Sequence, residues 1–371
     1  MAEHFEKGKV IVMLGTDLSS PGGITTVIRS YVAGGLFERW PIHFLATHHQ
    51  KSVASKLLIA LYALFRYLGL LLTGRVVAVH AHTAARGSFW RKSTFLLIAR
   101  LAGKPTILHL HDGSFPDFYW EKCGPTVQWA IRFVLRRMDC VVVLTPGWAN
   151  QIGRIEPTAR FVVIPNPVVA LKTPRCSNSE NILFLGRLWR EKGIYDLVDA
   201  ATTVVKRYPR TRFICAGDGE IGSLISLVQE RGIAQNFDFP GWVDGPDKDS
   251  LLATATIFVL PSYFEGLPLG MLEAMANGIP VIATDVGGIA EALGPDAGVL
   301  IPPGSPSALA DSLVSLLSDP QRQLTMGGVG ARRAKQEFSP EVVFRRIGDL
   351  YTQLGISPNP GAFIFAPKVQ D

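Results

Sequence analysis

A chain of 371 residues exceeds what one hydrophobic core usually organises, so two domains are expected, and 47% apolar residues suffice to build both. Only 18% of residues are charged and the aromatics are spread along the chain, which excludes a largely disordered protein. The net charge of +6 is unevenly placed: no Asp or Glu lies between Arg39 and His111, whereas Arg39, Lys51, Lys56, Arg66, Arg75, Arg86, Arg91, Lys92, Arg100 and Lys104 do. Such a one-sign field attracts an anionic membrane face, a lipid pyrophosphate or nucleic acid; a plain solvated surface has the same composition. Cys123, Cys140, Cys176 and Cys215 lie far apart without metal-ligand spacing, which argues against a zinc site or a disulfide framework and fits a reducing cytoplasm. The polar start Met1 to Lys7 leads straight into an apolar run, so no cleaved secretory signal is expected.

In chain order, the β-branched run Val10–Leu14 is followed by Thr16 to Val27, where Gly22 and Gly23 open a helix and let backbone amides approach a phosphate. Residues 56–73 are apolar nearly all round but slightly short for a span and carry Arg66 at their centre. A helix lying on the membrane surface is expected, with a buried helix or a true span as alternatives. Further runs follow at Val76–His80, Thr106–His111 and Cys140–Leu144, then at Ile182–Leu185, Arg212–Ala216, Ile257–Leu260 and Val281–Thr284. Their alternation with helical stretches predicts an α/β protein with two parallel sheets. The Pro- and Ser-rich composition places a hinge at about 166–178. The predicted domains are 1–170 and 178–338, and a helical pattern continues past Ser339.

Because ligands of such sheets bind beyond the strands' carboxyl ends, the residues after each run carry the chemistry. After Leu185, Gly186-Arg187 and Lys192 stand near a helix start, where paired cations can neutralise a departing diphosphate. After Leu260 comes Pro261 to Gly278, with Pro268 suited to a first helical turn and Gly278 to the helix end. Glu265 in the loop can accept hydrogen bonds from sugar hydroxyls, Glu273 on the helix can hold a ribose diol, and the amides of Gly266, Leu267, Pro268 and Leu269 mark the helix start; Pro268 itself has no N–H to give.

Two other motifs compete. Gly217-Asp-Gly-Glu-Ile-Gly222, with Asp238 about 20 residues on, matches a dinucleotide fingerprint. Against that reading, Asp218 and Glu220 would set negative charge beside the pyrophosphate. Asp247-Lys-Asp249 has a metal-binding DxD form but reads as the acid-rich start of a helix, so no metal is expected.

Gly186-Arg187, Glu191-Lys-Gly193, Gly217-Asp-Gly219, Glu265 with Glu273 eight residues on, Glu273-Ala-Met-Ala276 and Pro280 to Gly288 together resemble the family-four retaining glycosyltransferases. The resemblance covers residues 8 to about 357 and is looser in the first half. It implies the GT-B fold, two Rossmann-like domains facing each other across a cleft, with a last helix at about 339–357 completing the first. It further implies that Arg187 and Lys192 bind the donor diphosphate, Glu265 the transferred sugar and Glu273 the ribose, with Val243 near the base. A histidine after an N-domain strand that reaches the reaction centre corresponds to His111 of the Thr106 to Asp112 segment. His109 shares its strand face; His82, Arg86 and His109 are expected along an acceptor groove, and His80 as a satisfied core group.

The same resemblance implies retention of configuration without a metal or other cofactor. His109 to Tyr119 and Ala85 to Trp90 look like bacterial exopolysaccharide and capsule enzymes, which implies a UDP- or GDP-hexose donor, a polyprenyl-diphosphate-linked sugar acceptor and a peripheral place on the cytoplasmic face of the inner membrane, with no nucleic acid partner. A nucleotide-sugar epimerase or hydrolase, a transferase with a soluble acceptor and a non-catalytic sugar-binding protein are the competing readings.

Overall fold

The computed structural model describes residues 8–48, 53–171 and 179–360. The chain separates into two compact units, Met1–Pro167 with Pro340–Asp371, and Val168–Ser339. The first unit holds β1 (Val10–Gly15), β2 (Ile42–Ala46), β3 (Val76–Thr83), β4 (Thr106–Leu110), β5 (Cys140–Val143) and β6 (Phe161–Val163). They form one sheet in the order β2-β1-β3-β4-β5-β6, parallel throughout. The second holds β7 (Asn181–Leu185), β8 (Arg212–Ala216), β9 (Phe237–Gly241), β10 (Ile257–Leu260), β11 (Val281–Thr284) and β12 (Gly298–Ile301). Their order is β12-β11-β10-β7-β8-β9, again parallel.

Parallel neighbours need crossovers, and a helix lies between each consecutive pair of strands within both units. The inner strands are buried along most of their length, as strands covered on both faces must be. Strand order reverses between β1 and β3 in one sheet and between β7 and β10 in the other. Each reversal opens a crevice beyond the carboxyl ends, and the loops flanking it are the ones that carry Gly22, Arg86, Arg187 and Glu265.

The helix Pro340–Gln353 belongs to the first unit. Its Phe344 ring meets Tyr31 at 5.7 Å and its Tyr351 ring meets Trp40 at 5.2 Å, both edge-on. Residues 172–178 of the expected hinge lie outside the described residues. The part before them is packed: Asn166 and Val168 are buried, and the Val168 N–H donates to the Phe338 carbonyl at 2.8 Å.

The apolar segment forms the helix Val53–Leu72. Among the described residues no helix is long and apolar enough to cross a membrane. Neither is this one buried: Ala63 and Tyr67 are covered, the Tyr67 hydroxyl donating to the Phe95 carbonyl at 2.8 Å, while Leu61, Tyr62, Phe65, Leu68 and Leu72 face outward. The basic field also needs correction. Lys92 is fully buried, Arg100 is paired with Asp139, and Lys51 lies outside the described residues.

Candidate active site

In the second unit the loops after β7 and β10 meet. The chain leaves β7 through Gly186 and Arg187, turns through Arg190–Lys192, and starts the helix Ile194–Arg207 at Gly193. Gly193 has φ 70°, and a Cβ there would lie 1.9 Å from the Pro261 carbonyl oxygen, so the two loops touch backbone to backbone. The Tyr263 N–H donates to the Glu191 carbonyl at 2.9 Å. This contact brings the Lys192 ammonium to Glu265, where it donates to Oε1 at 2.7 Å. The Ser262 hydroxyl donates to the same oxygen at 2.7 Å, and the Thr284 hydroxyl holds the Ser262 carbonyl. Glu265 is thus oriented by a cation and a hydroxyl in a nearly buried position. Arg187 lies over the Trp189 ring at 4.5 Å and 3.8 Å from an Asp218 carboxylate oxygen, which aims its guanidinium without satisfying it.

Pro268 proves to be the N-cap, with ψ 122°, rather than part of the first turn; the helix runs Leu269–Ala276 and no side chain caps it. Glu273 on this helix pairs with Lys248 at 2.7 Å. Burial pushes the Glu273 carboxyl upward from its ordinary range, and the Lys248 ammonium opposes that shift. Lys248 stands between Asp247 and Asp249 on the helix Gly245–Thr254, capped by Asp244, so the DxD stretch is a helix start whose lysine serves Glu273. Nothing in the sequence tied Lys248 to Glu273. Val243 lies just after β9, in the loop that leads into that helix.

The glycines of Gly217-Asp-Gly219 have a packing role. A Cβ at Gly217 would lie 1.8 Å from the Gly186 carbonyl oxygen, and one at Gly219 2.6 Å from that of Leu188. The Leu188 N–H donates to Asp218 and the Gly186 N–H to Ala216, so these glycines let the β8 loop run against the Arg187 loop. That contact accounts for the first two glycines of the fingerprint without a pyrophosphate.

In the first unit Gly22 caps the helix Gly23–Ala33 with φ 149°, and a Cβ at Gly22 or Gly23 would meet no atom within 4 Å, leaving the backbone open as a phosphate approach requires. Arg86 is the one non-glycine among the described residues with positive φ, 58°, and starts the helix Gly87–Leu101. The preceding Ala85 N–H is held by the Asp112 carboxylate at 3.1 Å. Backbone strain of this kind gathers at functional sites, and Arg86 is exposed.

The register of β3 on β4 sets His82 opposite His109. His80, His82, His109 and His111 form one group of near-parallel rings with neighbouring centroids 4.2–5.4 Å apart. His80 meets the Tyr351 hydroxyl at 2.8 Å and His109 at 3.2 Å; His82 meets His111 at 2.8 Å. Burial holds all four below the ordinary imidazole value, with the Lys92 charge adding to the effect on His82 and His111; His80 and His111 fall to about 3. His82 and His109, expected to contact an acceptor, have no exposed surface. His80 is the satisfied core group expected. The His111 ring is engaged by His82 and by the Asn166 side chain, so its orientation is fixed by protein groups.

Lys92, read as a surface cation, is buried and donates to the Ser88 hydroxyl at 3.1 Å. Burial, then the Arg91 charge, lowers its pKa from 10.5 to about 7. The unfolded chain therefore binds an extra proton between these values, and folding stability rises with pH across that window. Lys92→Met is expected to raise Tm at neutral pH and to flatten the rise toward alkaline pH, measured by thermal denaturation. An unchanged slope would show that Lys92 keeps its charge in the folded chain.

Residues 179–319 match the family described as glycosyl transferases group 1, and residues 21–167 match the glycosyl transferase 4-like domain. An alpha-D-kanosaminyltransferase of Streptomyces kanamyceticus is 24% identical over 303 residues, 75% of this chain and 78% of that protein. The chain spans about half the length of other curated relatives it matches, 53% to 55%. Among solved structures, sucrose-phosphate synthase from Thermosynechococcus elongatus has a TM-score of 0.78 at 21% identity, covering 94% of this chain and 99% of that one. The Anabaena protein HepE in complex with UDP-glucose has a TM-score of 0.70 at 19% identity, covering 93% and 99%. With two parallel six-stranded sheets, and both domain families matched in their proper order, the chain belongs to the family-four glycosyltransferases of the GT-B fold.

Proposed function

We propose that this glycosyltransferase moves a hexose from a UDP- or GDP-sugar to a lipid-linked saccharide acceptor in surface polysaccharide synthesis, with retention of configuration and without a metal at the donor diphosphate. The observation that carries this reading is the convergence of Arg187, Lys192 and Glu265 where the second sheet's strand order reverses, with Lys192 and Glu265 at 2.7 Å. A cation beside a carboxylate, with a second cation on the loop that carries the first, suits a substrate that joins an anionic diphosphate to a polyhydroxylated sugar. Glu273 would hold the ribose, and Gly266 to Leu269 would present the helix start to the phosphates. As the glycosidic bond breaks, negative charge grows on the leaving diphosphate, and Arg187 and Lys192 stabilise it. In the same-face mechanism the leaving phosphate oxygen takes the acceptor proton.

Arg86, exposed on its strained turn, is the side chain best placed to meet an anionic acceptor. The outward apolar residues of Val53–Leu72, with Arg66 among them, fit a helix lying in a lipid headgroup layer on the cytoplasmic side of the membrane. The double variant Leu61→Glu, Phe65→Glu is expected to abolish flotation with anionic vesicles while leaving Tm within a few degrees. Undiminished flotation would remove this helix from the reading.

The deciding experiment incubates UDP-, GDP- and ADP-sugars with the protein, with and without membrane lipid extract and with EDTA present, scoring nucleotide release. Release that requires lipid and survives EDTA supports the reading and identifies the donor. Equal release without lipid points to an epimerase, a hydrolase or a soluble acceptor, and no release with any donor would overturn a transferase using these nucleotides.

A further inference from the structure

The histidine group in the first unit is built more elaborately than core packing asks. Two His-x-His pairs, one on β3 and one at the end of the adjacent β4, bring His80, His82 and His109 together, and one ring nitrogen from each lies within 4.8 Å of the others. We propose that these three histidines bind a zinc-type transition-metal ion, buried in the first unit and made wholly from its own residues.

Three features carry the assignment. The first is spacing: His80 Nε2 and His109 Nδ1 are 3.2 Å apart. Metal–nitrogen bonds of about 2.0–2.1 Å in a tetrahedron set ligand nitrogens roughly 3.3–3.4 Å apart. The second is the outer partners. A ligating imidazole is held by a hydrogen bond at its other nitrogen, which fixes its tautomer and aim. Tyr351 meets His80 Nδ1 at 2.8 Å and His111 Nε2 meets His82 Nδ1 at 2.8 Å, which leaves the Nε2 atoms of His80 and His82 to point at an ion. The third is an orphan: His82 Nε2, the nitrogen left to face the ion, is buried without a hydrogen-bond partner among the described residues. A core that buries a polar nitrogen and leaves it unpaired is destabilised by that omission, and a bound ion removes it.

The donor set selects the ion class. Three neutral imidazoles with no carboxylate suit Zn²⁺ or Co²⁺ and reject Mg²⁺ and Ca²⁺, which take oxygen ligands. Burial keeps these rings neutral, the form that ligates. A water or hydroxide completes the coordination, the hydroxide offsetting part of the ion's charge. Bound there, the ion ties the carboxyl end of β3 to β4 and, through Tyr351, to the helix Pro340–Gln353. Its role is to hold the His111 loop in place, and it takes no part in neutralising the donor diphosphate.

The test uses the full chain purified without a polyhistidine tag. After chelator stripping and buffer exchange, Co²⁺ alone is titrated while visible absorption is followed, and Zn²⁺ content is measured by mass spectrometry after equilibration with micromolar free zinc. One ion per chain is expected, with the intense visible bands of low-coordinate Co²⁺ and a Tm several degrees higher with Zn²⁺ than without. His82→Gln and His109→Gln are expected to lose the uptake and the Tm increase, while His43→Gln, on β2 outside the group, keeps both. Stripped wild-type chain that takes up no ion under these conditions overturns the proposal even if the variants fail to fold. Equal uptake by the two Gln variants and the wild type overturns it as well.

Discussion

Lys192→Ala is expected to lower kcat for sugar transfer by about 10²–10³-fold while changing donor KM far less, the signature of a group that acts on charge developing in the transition state. In the free protein Lys192 neutralises Glu265, whose carboxylate is almost completely covered and has Ser262 as its other partner. When the donor binds, the ammonium has a second anion to meet, and its reward grows as the diphosphate leaves. The two roles predict different consequences. Loss of the counter-ion acts on the fold and the ground state, so it lowers Tm; loss of leaving-group stabilisation acts on kcat. Glu265→Gln separates them, because it removes the pair while keeping Lys192 available for phosphate. That variant should bind the donor but transfer poorly, since the amide accepts sugar hydroxyls less strongly than the carboxylate. The double variant should cost less than the two single losses combined, as for groups in direct contact. A Lys192→Ala protein that loses several degrees of Tm but less than tenfold in kcat would make the ion pair structural and leave Arg187 as the sole phosphate cation.

How much of this was legible in the sequence follows from where each residue sits in the sheets. The eight runs expected as strands are the four inner strands of each sheet, which need continuous apolar residues because both faces are covered. The four strands without such a signal, β2, β6, β9 and β12, are the four sheet edges. Edge strands have one hydrogen-bonded neighbour and exposed flanks, and Phe237–Gly241 carries Asp238 and Pro240 for that reason. Strand alternation placed His109 and His111 on one face, but only the register of β3 on β4 shows which histidines they meet. Lys92 was misread, because a run of basic residues suggested surface; the helix start expected at Asp247 to Asp249 is there, but nothing in that segment pointed Lys248 at Glu273. Periodicity within one segment carries no information about the neighbour that covers it. The glycines of the Gly217 motif show the same limit, since a backbone approach to Gly186 and one to a pyrophosphate demand the same residue.

Gly287→Ala is expected to abolish measurable transfer, with a loss of at least about 10²-fold, in a protein that still folds. Gly287 follows β11 with φ 57°, and a Cβ there would stand 1.8 Å from the Glu265 carbonyl oxygen. No rotamer relieves that clash, because both atoms are held by backbone: the Gly288 N–H donates to the Gly266 carbonyl at 2.8 Å, locking the two loops together. The Glu265–Gly266 turn must therefore move by an ångström or more, taking the carboxylate off Lys192 and Ser262, and a displacement of that size in a positioning group can cost about 10²-fold. The sheet beneath is untouched, so Tm should fall by only a few degrees. Gly222→Ala provides the contrast. Gly222 is the last glycine of the dinucleotide-like fingerprint, yet it lies inside the helix Ile221–Glu230 and a Cβ there would meet no atom within 4 Å. Alanine at such a position stabilises a helix by roughly 0.5–1 kcal/mol and should leave transfer unchanged. If the fingerprint bound a dinucleotide, its third glycine would be needed for close helix packing, and Gly222→Ala would damage activity. Comparing the two variants by nucleotide release and thermal denaturation sets one glycine demanded by backbone contact against one merely tolerated. Equal damage from both would show that the loop after β8 touches substrate.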